Sequence, residues 1–526
     1  MSTGIDRRRL LRMALTAAAA GTASQLGAAN AFAGFTQSRW GAGGYPFRLG
    51  VASGDPVNDG FVLWTRLAPD PFDPTVPMPD AVAVEWEVAR DPGFRDIAQS
   101  GLVQARRELA HSVRVETRGL EPGRPYWYRF GVKGGDWSPA GRSWTALPPS
   151  ARMTQLRIAH ASCQHYEQGY FSAYDVMADD APDLVVHLGD YIYESSWGTP
   201  VRRHDGPEPF SLAEYRARHA LYKLDASLAR MHALCPWLVT WDDHEVDNDY
   251  ASLNSEDYQD PSAFARRRAA AYQAYFEHMP IRTIATPRER EMRLYQRSIF
   301  GDLAEVVMMD TRQFRSPHAC RTPERGGGQV VPNSCPDLSD PSRTTLGADQ
   351  ERWLTRGFTN SRALWNVIGG AQMFSRLRQK TASGEEGSWT DDWNGYPEAR
   401  KRVTAAIETS RLSNPVFIGG DIHSYWVNDV KADFARPDSA TLATEIVGTS
   451  ITSAAPNYEL FSRLLPENPH IRFFDSRKRG YVLNTLSREG WQAELRTVED
   501  VTTPAARGST LARFVIAAGR PGAQPA

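Results

Sequence analysis

An α/β domain behind a small all-β module is the architecture this sequence predicts, and three observations carry it. Four short unbroken apolar runs, Leu156–Ala161, Leu184–Leu188, Trp237–Thr240 and Pro415–Ile418, have the length and composition of strands buried on both faces. Stretches of helical composition, Ala213–Ala229 and Ala263–His278, fall among them. Ahead of them, residues 45–147 hold only short alternating or apolar runs separated by turn signals. At 526 residues the chain is long enough for two or more domains.

In chain order, residues 1–33 read as an export signal rather than as part of the fold. Arg7-Arg8-Arg9-Leu10-Leu11-Arg12 precedes the Ala-rich apolar stretch Met13–Ala20, and Ala31-Phe32-Ala33 supplies a small-x-small cleavage pattern. The arginine pair followed by two leucines resembles a twin-arginine (Tat) signal, which makes the Tat export machinery an expected partner. The location expected is therefore secreted or periplasmic, at the cell wall. A basic amphipathic tail is the plainer alternative, but the ordered basic, apolar and small-residue zones favour export. The apolar segment is too short for a stable membrane span. A net charge of −2, from 60 basic and 62 acidic residues, leaves no nucleic-acid-binding signature.

Within 45–147, Phe61–Trp64, Val82–Trp86, Val113–Glu116 and Tyr126–Phe130 read as strands, with a turn at Gly119–Gly123. A Leu-x-Pro turn before a Tyr-x-Tyr strand resembles fibronectin- or immunoglobulin-like sandwiches. Such a module either binds substrate or cell wall, or packs on its neighbour as an appendage, and the appendage is favoured. From 150 to 501 strands and helices alternate. Ala304–Met309 and Trp365–Ile368 add strands, and Ala440–Ile446, Tyr481–Leu483 and Trp491–Leu495 are expected to close a second sheet. Residues 503–526 are Ala/Gly/Pro-rich and read as a flexible tail. Of four cysteines, Cys320 and Cys335 flank Gly326-Gly327-Gly328 and suit a disulfide staple. Cys235 reads as a small buried apolar residue.

The chemistry gathers at strand ends. Gly189-Asp190-Tyr191-Ile192-Tyr193 follows one apolar run: glycine permits a sharp turn, Asp190 can bridge two cations, and Tyr193 can return to them as a phenolate. An Asp N-cap beside a core tyrosine is the bland alternative. Trp241–Asp249 packs five acidic groups and His244 into nine residues, a density that needs a cation or strong solvation. His244 suits a proton donor, with Glu245 as the carboxylate orienting it. Gly420-Asp421-Ile422-His423 repeats the design, placing Asp421 and His423 on one side of an extended tip. Cys163 ends the first run; it is either an inert buried thiol or a thiolate ligand, and the other three motifs favour the ligand.

In this order HASCQ, HLGDYIYE, WDDHEVDN, DTRQFR, LGADQ and GGDIHS closely resemble the PhoD-type alkaline phosphatases, a branch of the calcineurin-like metallophosphoesterases. The resemblance runs from about Tyr45 to Glu499 and implies a metallophosphoesterase-like two-sheet sandwich flanked by helices. It implies Fe³⁺ held by Cys163, Asp190, Tyr193 and His423, and one or more divalent ions, Ca²⁺ by analogy, sharing Asp190 and using Asp243 and Asp421. Carboxylates suit Ca²⁺, which prefers oxygen ligands. The superfamily's middle histidine motif is missing at Gly369-Gly370-Ala371-Gln372, where Gln372 stands in the corresponding place.

The implied function is metal-dependent hydrolysis of phosphate esters, monoesters and diesters alike, by hydroxide activated at the metals and attacking phosphorus in line. Arg312 and Arg315 could clamp phosphate oxygens, although a surface ion pair is the stronger reading. A phosphodiesterase of the phospholipase D type is the close alternative. A Ca²⁺-dependent wall- or glycan-binding protein would explain the carboxylates but not the thiol, phenol and imidazole. A zinc hydrolase is disfavoured, because no H-E-x-x-H occurs.

Overall fold

The structure, a computed structural model, describes residues 44–73, 76–287 and 291–526. The expected export signal over 1–33 lies outside the described residues. Two large sheets form the body. The central strands of the first are Gln155–Ala161, Leu184–Leu188 and Trp237–Thr240, which run parallel to one another. The central strands of the second are Ala304–Met308, Trp365–Gly369, Pro415–Gly419 and Thr441–Val447, also mutually parallel.

Parallel strands covered on both faces need apolar residues throughout, and nearly every residue of these strands is buried. One core lies between the sheets, where Leu156, Ile158, Val186 and Leu238 meet Val306, Val367, Val416 and Ile446. A second core lies under helices on the outer face of the first sheet, and a third under Gly347–Asn360 and Pro397–Ser410 on the second.

Helix ends follow local chemistry. Ser211 and Glu214 make a reciprocal capping box before Leu212–Lys223. Asp225 then accepts from the amides of Ser227 and Leu228 and starts a new helix, Ala226–Leu234. The single helix expected over Ala213–Ala229 is therefore two. No helix among the described residues is long and apolar enough to cross a membrane.

The N-terminal module is a sandwich. The sheet of Ile97–Arg106, Ala81–Ala89, Pro125–Val132 and Gly141–Trp144 packs on Val51–Val57, Gly60–Arg66 and Ser112–Glu116. Phe61, Leu63, Val84, Val88, Tyr126 and Phe130 fill the space between. Its link to the rest is closer than packing alone, because Val51–Val57 also pairs with Trp237–Thr240 at Gly54 and Trp237. One continuous sheet of ten strands results.

Two expectations change. Arg479–Ser487 and Gly490–Val498, expected in the second sheet, instead extend the first, antiparallel from Gln155–Ala161 outward. The tail is not frayed. Gly508–Ala517 pairs along Gly490–Val498, and Gln524–Pro525 pairs with it in turn. Phe514 and Ile516 reach into the inter-sheet core, which is why an alternating Leu511–Ala517 segment is held despite its Ala/Gly/Pro-rich surroundings.

Candidate metal centre

The carboxyl ends of both parallel sets meet at one place, as ligand sites do in sheets of this kind. Cys163 and Asp190 come from the first sheet and Asp421 and His423 from the second. Ser162 and Ser450 form the backbone bridge that joins the two layers there. Cys163, Asp190, Asp421 and His423 all adopt positive φ, +60°, +55°, +64° and +52°. Left-handed backbone at non-glycine residues costs on the order of 1–3 kcal/mol each and clusters at functional sites. Gly189 has φ +104°, and a Cβ there would lie 2.6 Å from Cβ of Asp242, so only glycine lets these two strand ends approach.

Sγ of Cys163, a carboxylate oxygen of Asp190 and a ring nitrogen of His423 lie within 4.8 Å of one another, as do ligand atoms of Asp190, Asp243 and His244. Asp190 is common to both sets. The Tyr193 hydroxyl lies 2.8 Å from Oδ2 of Asp190 and 3.2 Å from Nε2 of His423. Nδ1 of His423 pairs with the Ala454 carbonyl at 2.7 Å, which can only accept, so Nε2 keeps a free lone pair. The Ser453 hydroxyl lies 2.9 Å from the Cys163 carbonyl and 2.8 Å from the Tyr193 hydroxyl, with one proton to give to either. Asp421 lines the same cleft, partly exposed.

Oδ1 of Asp190, Oδ2 of Asp242 and Oδ1 of Asp243 are buried without a hydrogen-bond partner. Burial, with Asp243 and Glu245 adding to it, pushes Asp190 up to about 8 against the opposing pull of His244. Burial likewise drives the Cys163 thiol and the Tyr193 phenol well above their ordinary values, with Asp190 adding to both. Left alone these groups would hold protons, whereas cations would take up the orphaned oxygens of Asp190 and Asp243 and ionise the thiol and phenol. The donor set fits metal ions.

Asp249, Asp391 and Asp243 make another close set. There Asp391 is met by both Nη atoms of Arg312 (2.6 and 2.7 Å), by Arg315 (2.8 Å) and by His318 (2.7 Å). Its counter-charges are protein side chains, so this set reads as the floor of the centre. Cys320 and Cys335 are joined in a disulfide.

The family model described as PhoD-like phosphatase matches residues 158–495, and that for the PhoD-like phosphatase N-terminal domain matches 34–147. The chain belongs to the PhoD-like phosphatases. Alkaline phosphatase D of Bacillus subtilis (strain 168) is 45% identical over 481 residues, 90% of this chain and 81% of that one. A solved structure titled "Structure of PhoD" matches with a TM-score of 0.86 at 44% identity, covering 91% and 92% of the two chains. A purple acid phosphatase from yellow lupin seeds shares the fold at a TM-score of 0.55 and 11% identity, covering 89% and 74%. As a PhoD-like phosphatase the chain is a phosphoric ester hydrolase with the metallophosphoesterase-like fold.

Two site expectations for this PhoD-like chain need correction. Glu245 does not orient His244. Its carboxylate instead accepts from the backbone amides of Asp190, Tyr191 and Asp242, tying two strand ends together. Nδ1 of His244 pairs at 2.8 Å with Glu194, a residue not singled out from sequence. Burial alone would lower His244, but Glu194, Asp243 and Asp190 together raise it well above its ordinary value. Arg312 and Arg315 are fully buried and make neither a surface pair nor part of the cleft lining. Nε of Arg312 pairs with Asp242 at 2.5 Å, and Arg315 reaches Gln372 at 3.2 Å. Gln372 in turn donates to Asp242 at 2.5 Å and so steadies that carboxylate. Asp242, Asp249, Asp391 and His318 were also not singled out. Asp242 and Asp249 sit inside the acidic motif, whereas nothing local marks Asp391 or His318.

Proposed function

We propose that this enzyme is an exported phosphomonoesterase also active on diesters, with Fe³⁺ held by Cys163, Asp190, Tyr193 and His423. One or more divalent ions, Ca²⁺ first among them, share Asp190 and use Asp243 and Asp421. The convergence of thiol, phenol, imidazole and orphaned carboxylate oxygens around Asp190 carries this reading. Phenolate with thiolate suits a trivalent ion, and an all-carboxylate neighbour suits a hard divalent one. Bound metals would supply Lewis acidity, polarising phosphoryl oxygens and raising the acidity of the attacking water. The chain's own part is to present the ester in a cleft of about 490 Å³ lined by Trp197, His244 and several carboxylates. His244 faces that cleft and is the side chain placed to donate to the departing alcohol oxygen. Export through the Tat pathway rests on the order of basic, apolar and small residues over 1–33.

Metal analysis with an absorption spectrum tests the centre. Iron and a divalent ion should both be found, with a charge-transfer band that shifts or vanishes in Tyr193→Phe. A colourless protein without iron would refute the assignment. Rates on p-nitrophenyl phosphate, bis-p-nitrophenyl phosphate and phosphatidylcholine test the substrate class. Turnover of only the diester and lipid would replace the monoesterase reading with the phospholipase D type.

A further inference from the structure

We infer that Trp197 determines specificity: its indole is the platform on which a flat, uncharged ring in the alcohol part of the ester stacks. The inference rests on the phosphomonoesterase reading above and names what that cleft prefers. Among the described residues Trp197 is the only apolar side chain lining the cleft, and at 37% exposed its ring is open to what enters. A large apolar ring left open inside a polar cleft marks the place of a ligand's apolar contact. The ring is also held. It meets His165 edge-on, with centroids 5.2 Å apart and planes at 87°, and lies within 9° of parallel to His423 at 6.4 Å. The Trp197 carbonyl accepts from Nε2 of Gln168 at 3.0 Å, and Oε1 of the same glutamine accepts from the Ala454 amide at 2.6 Å. The Ala454 carbonyl is the group that meets His423, so one buried glutamine sets the indole and that imidazole relative to each other. A platform fixed before the substrate arrives takes a ring with little ordering of its own.

Charge narrows the kind of ring. No lysine or arginine lines the cleft, and among the described residues Glu256 and Asp257 line it without an ion pair. A further negative charge on the alcohol would meet only carboxylates there, and like charges reject one another. A cation gains little, because cages for onium groups surround the charge with several rings, and Tyr193 and His165 are fully buried. Glu208 and Asp247 are already answered by Arg267, at 2.6 and 2.9 Å, and Asp249 by Arg325 at 3.2 Å. What suits the indole is a neutral flat group, an aryl ring or a nucleobase, whose π face stacks on it.

Adenosine monophosphate and ribose 5-phosphate test this, because the two share the phosphate, the leaving oxygen and the sugar and differ in the base. Phosphate release is measured for the unmodified full-length holoenzyme, Trp197→Ala and Trp197→Phe, with bound metal determined in each and p-nitrophenyl phosphate run alongside. The unmodified enzyme should prefer the nucleotide by about 5- to 100-fold in kcat/KM. Trp197→Ala should bring that ratio close to unity by raising KM for the nucleotide, with ribose 5-phosphate affected far less, and Trp197→Phe should keep most of the preference. Adenosine should also inhibit the unmodified enzyme at a concentration where ribose does not, which reads the platform even if the Ala variant does not fold. An indole with only a structural role would, once lost, lower both rates alike and leave their ratio unmoved. That result, or an unmodified enzyme without preference for the nucleotide, would overturn the stacking role and leave the monoesterase reading standing. Release from none of the three esters by the unmodified enzyme would overturn the monoesterase reading and this inference with it.

Discussion

Replacing Lys223 by methionine should make the protein more stable. The residue ends the helix Leu212–Lys223 and is 1% exposed. Its ammonium nitrogen has one hydrogen bond, to Nε2 of His232 at 3.2 Å, and lies over the rings of Trp64 at 4.6 Å and Tyr191 at 5.2 Å. Among the described residues it makes no ion pair with a carboxylate. Burial therefore drives it well below its ordinary 10.5. The unfolded chain binds a proton there up to pH 10.5 and the folded chain holds one far less readily, so folding loses up to about 1.4 kcal/mol for each pH unit below 10.5. At pH 8 that amounts to at most roughly 3 kcal/mol. Methionine keeps the length and apolar stem but forfeits the bond to His232, worth about 1 kcal/mol. The net gain should be roughly 2 kcal/mol at pH 8, a Tm rise of about 2 °C if this long chain unfolds as a unit. Scanning calorimetry from pH 7 to 10 is the assay. The Tm of the unmodified protein should climb more steeply with pH, and the two curves should meet at about pH 10. Parallel curves, or a variant less stable at pH 8, would refute the reasoning.

Other consequences are as direct. Gly189→Ala forces a Cβ to 2.6 Å from Asp242 at φ +104°, and should lower metal occupancy and cut activity more than about tenfold. Gly206→Ala, at φ +100° with nothing within 4 Å, is the control that should keep both. Arg312→Met strands Asp242 and Asp391 in the interior and should cost about 3–5 kcal/mol by thermal denaturation. Burial lowers His219 from 6.5 to about 3, so only the unfolded chain takes its proton between those values. Stability is therefore lost as pH falls below 6.5, and His219→Phe should flatten that decline by about 1.4 kcal/mol per pH unit. Cys320→Ser, or a reductant, opens a cross-link between residues 15 apart and should cost about 3 kcal/mol.

Much of the centre was legible because each expected ligand stands at the end of a short apolar run, and a buried strand that stops at glycine and a charged residue carries a local signal. Cys163, Asp190, Tyr193, Asp243, Asp421 and His423 were readable in this way. What sequence could not resolve was reach. Glu194 and Glu245 both lie in acidic motifs beside His244 or Tyr193, and only the turn geometry decides that the first meets the ring and the second the backbone. Asp391 and His318 lie far along the chain from Arg312, with no periodicity to announce their pairing. The strands Arg479–Ser487 and Gly490–Val498 are recognisable as strands, but alternation does not name a partner, and only the fold shows that they extend the first sheet. At the C-terminus the alternation of buried Phe514 and Ile516 with exposed Arg513, Val515 and Ala517 is short and lies among Gly and Pro residues that read as a loose tail.

The pairing of Gly508–Ala517 along Gly490–Val498 bears on how the enzyme can be trimmed or tagged. Removing the last twenty or so residues would strip a whole row of amides and carbonyls on Gly490–Val498 of their partners and open the slot that Phe514 and Ile516 now plug. Such a shortened protein would tend to associate edge to edge, so an affinity handle belongs beyond Ala526, with every native residue before it kept.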